Sequence, residues 1–366
     1  MIRLTIAIPT FNRPVPLTRT LAALLPQLGP ETEVVVLDNC SEPPAEAVLA
    51  PLRAAHPGAP IQVVRHRFNI GGNANILRCL ETGQGEWVWI LGDDDAPAPD
   101  SVRTILTAVA RQPDADYLNF CTSLWPKRTA YTATTLDEFL DRCDSLANTL
   151  FISAGAYRRA RFGNYLQAAL AYNHSCMPQV VLLLARLRDG GKLAFQPEFT
   201  VGWEDASPEL HWPAYLAFYF EEAAEVLPTH AQQAKLARLI TQGHEAMLGS
   251  GRSQLRWALL NQLYHPDSPS SLLFFAKGAW LRAALADGLP ARWRWGFFSR
   301  LALLLHRNQG AARFLVSRLW PLWHRVRHGG DLPAQPLPQA FRGHYFHPRD
   351  LPPAPKQEST AGNPTK

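Results

Sequence analysis

Along the first 120 residues, short apolar runs alternate with stretches in which apolar residues recur every three or four positions. Ile2 to Pro9 alternates apolar with small or polar residues and predicts a strand. Leu17, Leu21, Leu24, Leu25 and Leu28 then follow at helical spacing, and Pro26 with Gly29-Pro30 ends the run. Val34 to Leu37 is a buried-strand signal that closes on Asp38-Asn39. A short helix is expected over 44–55, a third strand over 61–64, a helix over 71–82 and a fourth strand over 87–91. Pro99-Asp100-Ser101 opens another helix with Val102, Ile105, Leu106 and Val109 on one face, and Tyr117 to Phe120 reads as a fifth strand.

Strands alternating with helices imply β-α-β units, hence an α/β fold with a mainly parallel sheet flanked by helices. Ligands of such sheets sit outside the carboxyl ends of the strands. Four successive strand ends here carry polar clusters: Thr10 and Asn12, then Asp38 and Asn39, then His66, Arg67 and Asn69, then Asp93-Asp94-Asp95. Three adjacent carboxylates at the mouth of a buried sheet repel one another, and a cation relieves the repulsion. If that segment is extended, Asp93 and Asp95 point the same way and can share a hard metal ion. The alternative is a solvated acidic turn that starts the next helix. No G-x-G-x-x-G follows the first strand, so a metal at the aspartates is the natural substitute for a glycine-rich phosphate loop.

Composition changes the picture in three places. Apolar runs are broken well short of a membrane span, and the N-terminus lacks signal-peptide features. Five scattered cysteines (Cys40, Cys79, Cys121, Cys143, Cys176), never spaced C-x-x-C, favour reduced thiols in a cytosol. The net charge of +5 is unevenly spread: residues 291–330 hold eight Arg, three His and no acidic residue. That block suggests an anionic partner.

Four segments in order resemble the family 2 glycosyltransferases of GT-A fold: Ile6 to Arg13, Val36 to Ser41, Asn69 to Asn73, and Gly85 to Asp95. The Leu91-Gly92-Asp93-Asp94-Asp95 form is similar to the bacterial branch that builds O-antigen and capsule, abequosyltransferase-like proteins among them. The resemblance implies a Rossmann-like GT-A catalytic domain over 1–205, with a nucleotide-binding half (1–120) and an acceptor half (121–205). It also implies transfer of a sugar from a nucleoside diphosphate to a glycan hydroxyl, with inversion and with Mg²⁺ or Mn²⁺. By resemblance Pro9 and Thr10 line the nucleotide pocket, with Asn12, Arg13 and Asn69 among the donor-binding residues. Asp38 accepts from the base, Asp93 lies near the ribose, and Asp95 with Asp94 holds the metal. Without the resemblance, Asp38 reads equally well as a strand-end turn residue.

The family draws its general base from a Glu-Asp pair opening a helix that ends in Gly. Here Val180 to Lys192 reads as that helix, but Gln179 and Val180 stand where the acids belong, and neither takes a proton. His174 is a nearby substitute, a competent base near neutral pH or merely a helix-flanking polar residue. Glu204 and Asp205 have the right letters but come after the expected strand, where a solvated turn is the ordinary reading. Thr135-Leu136-Asp137-Glu138 is a capping box with a structural role. Thr149 to Arg159 resembles the family's acceptor-side strand.

Beyond Trp212 the chain turns helical, so a helical, basic amphipathic extension is expected over 206–330 and a Pro-rich disordered tail over 331–366. Trp293, Trp295, Phe297 and Phe298 interleave with Arg292, Arg294 and Arg300; Trp320 and Trp323 do so with Arg318 and Arg325. Basic helices with tryptophan at the polar boundary suit the surface of an anionic membrane, where a lipid-linked acceptor is met; a helical pair packed on the catalytic domain is the alternative. Nucleic acid is not expected, since no recognised module accompanies the charge. The expectation is therefore a glycosyltransferase in the cytoplasm, peripheral on the inner face of the membrane. A nucleotide-sugar-binding scaffold and a sugar-phosphate nucleotidyltransferase are the rival readings.

Overall fold

Period-two alternation in the first strands divides their side chains between two layers of core. In the computed structural model, which describes residues 2–202, 214–248, 251–264, 271–286 and 288–315, the first elements are β1 (Leu4–Thr10), α1 (Pro14–Leu24), β2 (Thr32–Asp38), α2 (Ala45–Ala55), β3 (Ile61–Arg65), α3 (Gly72–Thr82) and β4 (Trp87–Ile90). Then come β5 (Ala96–Pro97), α4 (Ser101–Arg111), β6 (Tyr117–Thr122), β7 (Tyr131–Ala133), α5 (Leu136–Arg142) and α6 (Leu146–Leu150). β8 (Gly155–Arg158), α7 (Leu166–Ala171), α8 (Pro178–Arg188) and β9 (Leu193–Gly202) complete the sheet-bearing part.

Ile6, Ile8, Val34, Val36, Trp87 and Trp89 pack on Leu17 and Leu21 of α1, Leu49 of α2 and Ile105 of α4. The intervening Ala7, Val35, Leu37, Val88 and Ile90 face Ile76 and Leu80 of α3, Phe139 of α5 and Leu183 of α8. Trp87 and Trp89 are wholly buried, which stabilises the fold by up to about 3 kcal/mol each.

The sheet order is β3-β2-β1-β4-β8-β6-β9-β5, with β7 on β9. β3, β2, β1 and β4 run parallel, as expected. Farther along the sheet is mixed, because β8 lies antiparallel between β4 and β6, and β5 and β7 pair antiparallel with β9. β6 and β9 again share the direction of β1, so the carboxyl ends of six strands open on one edge. The chain leaves β1–β4 at that edge, and α8 begins there.

The strand expected over Thr149 to Arg159 is shorter than that span. It starts at Gly155, because Thr149 to Ala154 is spent on the end of α6 and a 3₁₀ turn. Ser145 caps α6 by accepting from Asn148 N at 3.1 Å, and the Thr149 hydroxyl donates back to Ser145 C=O. β5 and β7, two and three residues long, are too short to show a period. The capping box is structural as read: the Thr135 hydroxyl accepts from Glu138 N at 3.2 Å.

After a 3₁₀ segment over Ala214–Val226 follow α9 (His230–Leu248), α10 (Gly251–Tyr264), α11 (Ser271–Leu285), α12 (Leu289–Arg307) and α13 (Gln309–Phe314). The last four share a core in which Trp295, Phe298 and Leu305 meet Leu259, Leu272 and Phe275. Arg282 of α11 reaches out of that core to the wholly buried Glu221 at 2.5 Å and to Gln254 at 2.7 Å, with its guanidinium over Trp295. Removing either charge of so dry a pair costs about 3–5 kcal/mol, so it locks α11 to the 3₁₀ segment. No helix of the described residues is long and apolar enough to cross a membrane. Glu204, Asp205, residues 316–330 of the basic block and the 331–366 tail lie outside the described residues.

Candidate functional site

The site is built from the loops that follow β1, β2, β3 and β4. The segment after β4 is a turn rather than extended chain, with Asp95 N donating to Gly92 C=O at 3.3 Å. The alternation that would set Asp93 and Asp95 side by side is therefore absent, and each carboxylate takes its own direction. Asp93 turns toward the β1 loop: one oxygen accepts from the Thr10 hydroxyl at 2.6 Å, the other from Arg13 Nη1 at 2.5 Å. Arg13 Nη2 pairs with Asp94 at 2.9 Å, so one guanidinium sits between two carboxylates. Asp95 folds back over Gly92 and accepts from the Ser153 hydroxyl, which itself accepts from Gly92 N. A Cβ at Gly92 would lie 2.4 Å from Asp95 Oδ2, so any side chain there would displace that carboxylate. The Thr20 hydroxyl, on the buried face of α1, reaches the carbonyls of both Asp93 and Asp95, at 3.0 and 2.9 Å.

Electrostatics follow from burial. Asp93 and Asp95 are 4% and 3% exposed, whereas Asp94 is half-buried. Burial pushes the Asp93 carboxyl up to about 7, with repulsion from Asp94 adding to it and Arg13 opposing. Burial raises Asp95 as well, again with Asp94 repelling and the Ser153 bond opposing. If all three carboxylates ionise, they outnumber Arg13 and the nearby Arg19, which donates to Asp94 C=O, and the turn carries excess negative charge. Protons relieve that excess in one way and a divalent cation in another. Among the described residues no three ligating side chains gather at one point. A cation such as Mg²⁺, which takes only one or two carboxylates and completes its shell with phosphate oxygens and water, would need no larger cluster.

The other three loops are tied into one rim. The Asn12 backbone is left-handed (φ 54°); its N–H donates to Ser41 Oγ, and its side-chain oxygen accepts from Glu42 N. Asn39 Nδ2 donates to Asn69 Oδ1 at 2.8 Å, and Asn69 Oδ1 also accepts from Gly71 N, where φ of +87° leads into α3. Pro9 lies beside Leu37 in the β1–β2 register. Asp38 is wholly buried and accepts from Ser41 N at 2.7 Å, Ala45 N at 3.0 Å and Arg65 at 2.9 Å. Burial raises its carboxyl, but these hydrogen bonds and Arg65 outweigh it and hold Asp38 below the usual carboxylate range. Asp38 is thus ionised and braced by its own loop.

His174 lies in a 3₁₀ turn (Asn173–Ser175) just before α8, at the same edge of the sheet. Asn73 Nδ2 in the first turn of α3 donates to Asn173 C=O at 2.8 Å, joining this turn to the Asn69 loop. The ring is half-exposed, stacks on Tyr172 and bonds through Nε2 to Glu222, a carboxylate only 4% exposed that also pairs with Lys277 of α11. Gln179, at the expected position of the acids, is buried and donates to Leu150 C=O at 2.6 Å. Thr20, Ser153 and Glu222 went unnoticed in the sequence. Thr20 breaks the apolar face of α1 between Leu17 and Leu24, a usable signal; Glu222 lies 48 residues from its partner and carries none.

Residues 5–151 match the family model described as glycosyl transferase family 2. Over this region the chain is similar to the family 2 glycosyltransferases. Over 113 residues the chain is 30% identical to abequosyltransferase RfbV of Salmonella typhimurium, covering 30% of this chain and 34% of that protein. Over 115 residues it is 26% identical to an uncharacterized glycosyltransferase of Haemophilus influenzae, covering 31% and 37% respectively. The matches span about a third of the length of each curated relative. Among solved structures, that of S. aureus TarS residues 1–349 superposes with a TM-score of 0.52 at 14% identity, covering 84% of this chain and 92% of that one. That likeness takes the shared fold into the helical extension. All four sequence segments that carried the family resemblance fall within residues 5–151.

Proposed function

We propose that the chain is a divalent-cation-dependent, inverting glycosyltransferase that moves a sugar from a nucleoside diphosphate to a hydroxyl of a lipid-linked glycan in surface polysaccharide synthesis. The observation that carries the reading is the buried aspartate turn, with its excess negative charge, interlocked with Thr10 and Arg13 at the carboxyl edge of the parallel strands. TarS has been solved with UDP-GlcNAc (TM-score 0.50), and the abequosyltransferase match supports sugar transfer as the reaction class.

In this reading the Pro9–Arg13 loop and Asn69 line the nucleotide pocket, Asp38 presents an ionised acceptor to the base, and Asp93 stands near the ribose. Asp95 with Asp94 would hold Mg²⁺ or Mn²⁺, and the ion would supply positive charge against the departing diphosphate. His174 takes the proton of the acceptor hydroxyl. Glu222 behind it fixes the ring and stabilises the imidazolium that forms, as a carboxylate does for a histidine base elsewhere. Glu204 and Asp205 are the weaker alternatives for that role. Residues 1–205 are the catalytic domain, and the basic extension places it on the cytoplasmic face of an anionic membrane.

One observation favours a second reading, a non-catalytic nucleotide-sugar-binding scaffold: buried Gln179 stands where the family keeps its acids. A single assay separates the cases. With Mn²⁺ or Mg²⁺ and a panel of nucleotide sugars, a transferase releases free nucleoside diphosphate. A nucleotidyltransferase releases pyrophosphate, and a scaffold binds without turnover.

A further inference from the structure

α12 is apolar on two opposite faces, and only one of them is covered. Trp295, Phe298, Ala302 and Leu305 recur at helical spacing and are buried against α10 and α11. Leu289, Trp293, Phe297 and Leu304 fall on the opposite side, and they are 68%, 72%, 61% and 62% exposed. A helix that covers itself with apolar residues all round belongs in a core or against lipid, and α12 has a core on one side only. The exposed row runs from Leu289 to Leu304, about 22 Å along the axis at 1.5 Å per residue. Contiguous exposed apolar surface of this size marks an interaction site.

The charge around the row decides what it meets. Arg292, Arg294, Arg300 and Arg307 are exposed on and beside this face, and no acidic residue occurs between Ala291 and Leu315. A protein partner matched to the row would find only cationic charge on α12 and α13 themselves, whereas anionic headgroups are matched to all four arginines at once. Arginine stems lie along apolar surface while the guanidinium stays at headgroup level, and tryptophan prefers that same boundary. We propose that the outer face of α12 is a membrane-docking surface, with Trp293, Phe297 and Leu304 seated at the headgroup boundary of an anionic lipid bilayer and the arginines around them on its phosphates. The inference rests on the membrane reading above and narrows it to one helix face. It also divides the aromatic residues of the basic block: Trp295 and Phe298 build the helical core, and Trp293 and Phe297 serve the bilayer.

The test is co-sedimentation of the full chain with vesicles of phosphatidylcholine and phosphatidylglycerol mixed three to one, and with pure phosphatidylcholine. The wild type is compared with Trp293→Ser/Phe297→Ser/Leu304→Ser and with Arg292→Gln/Arg300→Gln. The wild type is expected to bind the anionic vesicles, and the apolar triple variant to bind roughly tenfold or more weakly while melting close to the wild-type temperature, because the three side chains are mostly exposed and only Phe297 borders the core, at Phe298. The arginine variant is expected to lose the preference for anionic over neutral vesicles. A wild type that binds neither vesicle overturns the membrane reading and this inference together. A wild type that binds, with a triple variant that binds equally well, overturns the α12 assignment alone. If the wild type is a dimer without lipid and the triple variant a monomer, the face belongs to a second copy and the proposal is wrong.

Discussion

Replacing Arg13 by leucine removes the guanidinium that stands 2.5 Å from Asp93 and 2.9 Å from Asp94 while keeping the stem's apolar bulk. The side chains of Arg13, Asp93 and Asp94 are only 10%, 5% and 13% exposed, so water cannot replace the lost charge. Breaking a pair this dry costs about 3–5 kcal/mol when the partner carboxylate stays ionised. Proton uptake offers a way out. Asp93 sits at about 7 in the folded protein against an ordinary 3.8, so it binds more protons folded than unfolded between those values. Its contribution favours the folded state at low pH and is lost as the pH rises through 7. Without Arg13 the folded value rises further, and the loss extends to higher pH. The deficit of Arg13→Leu is therefore about 3 kcal/mol or more at pH 8, shrinking by up to about 1.4 kcal/mol per pH unit as Asp93 takes its proton. Urea unfolding of variant and wild type at pH 5.5 and pH 8 measures both deficits. A deficit under about 1 kcal/mol, or one equal at the two pH values, refutes the claim that Arg13 compensates buried carboxylates.

Gly92→Ala puts a methyl group against Asp95 Oδ2, and the displaced carboxylate should weaken cation-dependent nucleotide binding by about tenfold or more, measured by titration calorimetry. His174→Ala should lower kcat by about hundredfold or more with little change in donor KM, and Glu222→Gln by a smaller factor together with a shift of the acid limb of the pH–rate profile; full transfer by His174→Ala rules it out as the base. Asp38→Asn should flatten the acid limb of the stability curve: a depressed carboxylate contributes fully above its unfolded value of 3.8 and loses that contribution as the pH falls through its lower folded value, so acid unfolding of the variant should depend less on pH below 4.

Period and strand-end chemistry made the N-terminal half of the sheet legible. Val34 to Leu37, Trp87 to Leu91 and the Leu17–Leu24 spacing each impose one local structure, and four polar strand ends then fall on one edge. What local pattern does not carry came out differently. β5 and β7 exist only as pairings with β9, and Thr149 to Ala154 follows its caps rather than its β-branched residues. The three aspartates were visible as a charge excess, but their directions depend on Thr10, Arg13 and Ser153, contributed from up to 83 residues away. Glu222 was out of reach for the same reason. The split of α12 into a core face and an open face required knowing what α11 covers, since both faces carry tryptophan and phenylalanine.

The central claim, that the aspartate turn holds a cation for a nucleoside diphosphate, is tested most directly by titration calorimetry of UDP, dTDP, CDP and GDP with and without Mn²⁺, on wild type and Asp95→Ala. Saturable binding of at least one nucleotide that requires Mn²⁺ and disappears in Asp95→Ala is the predicted result. Equal binding without the cation, or binding untouched by Asp95→Ala, would contradict it.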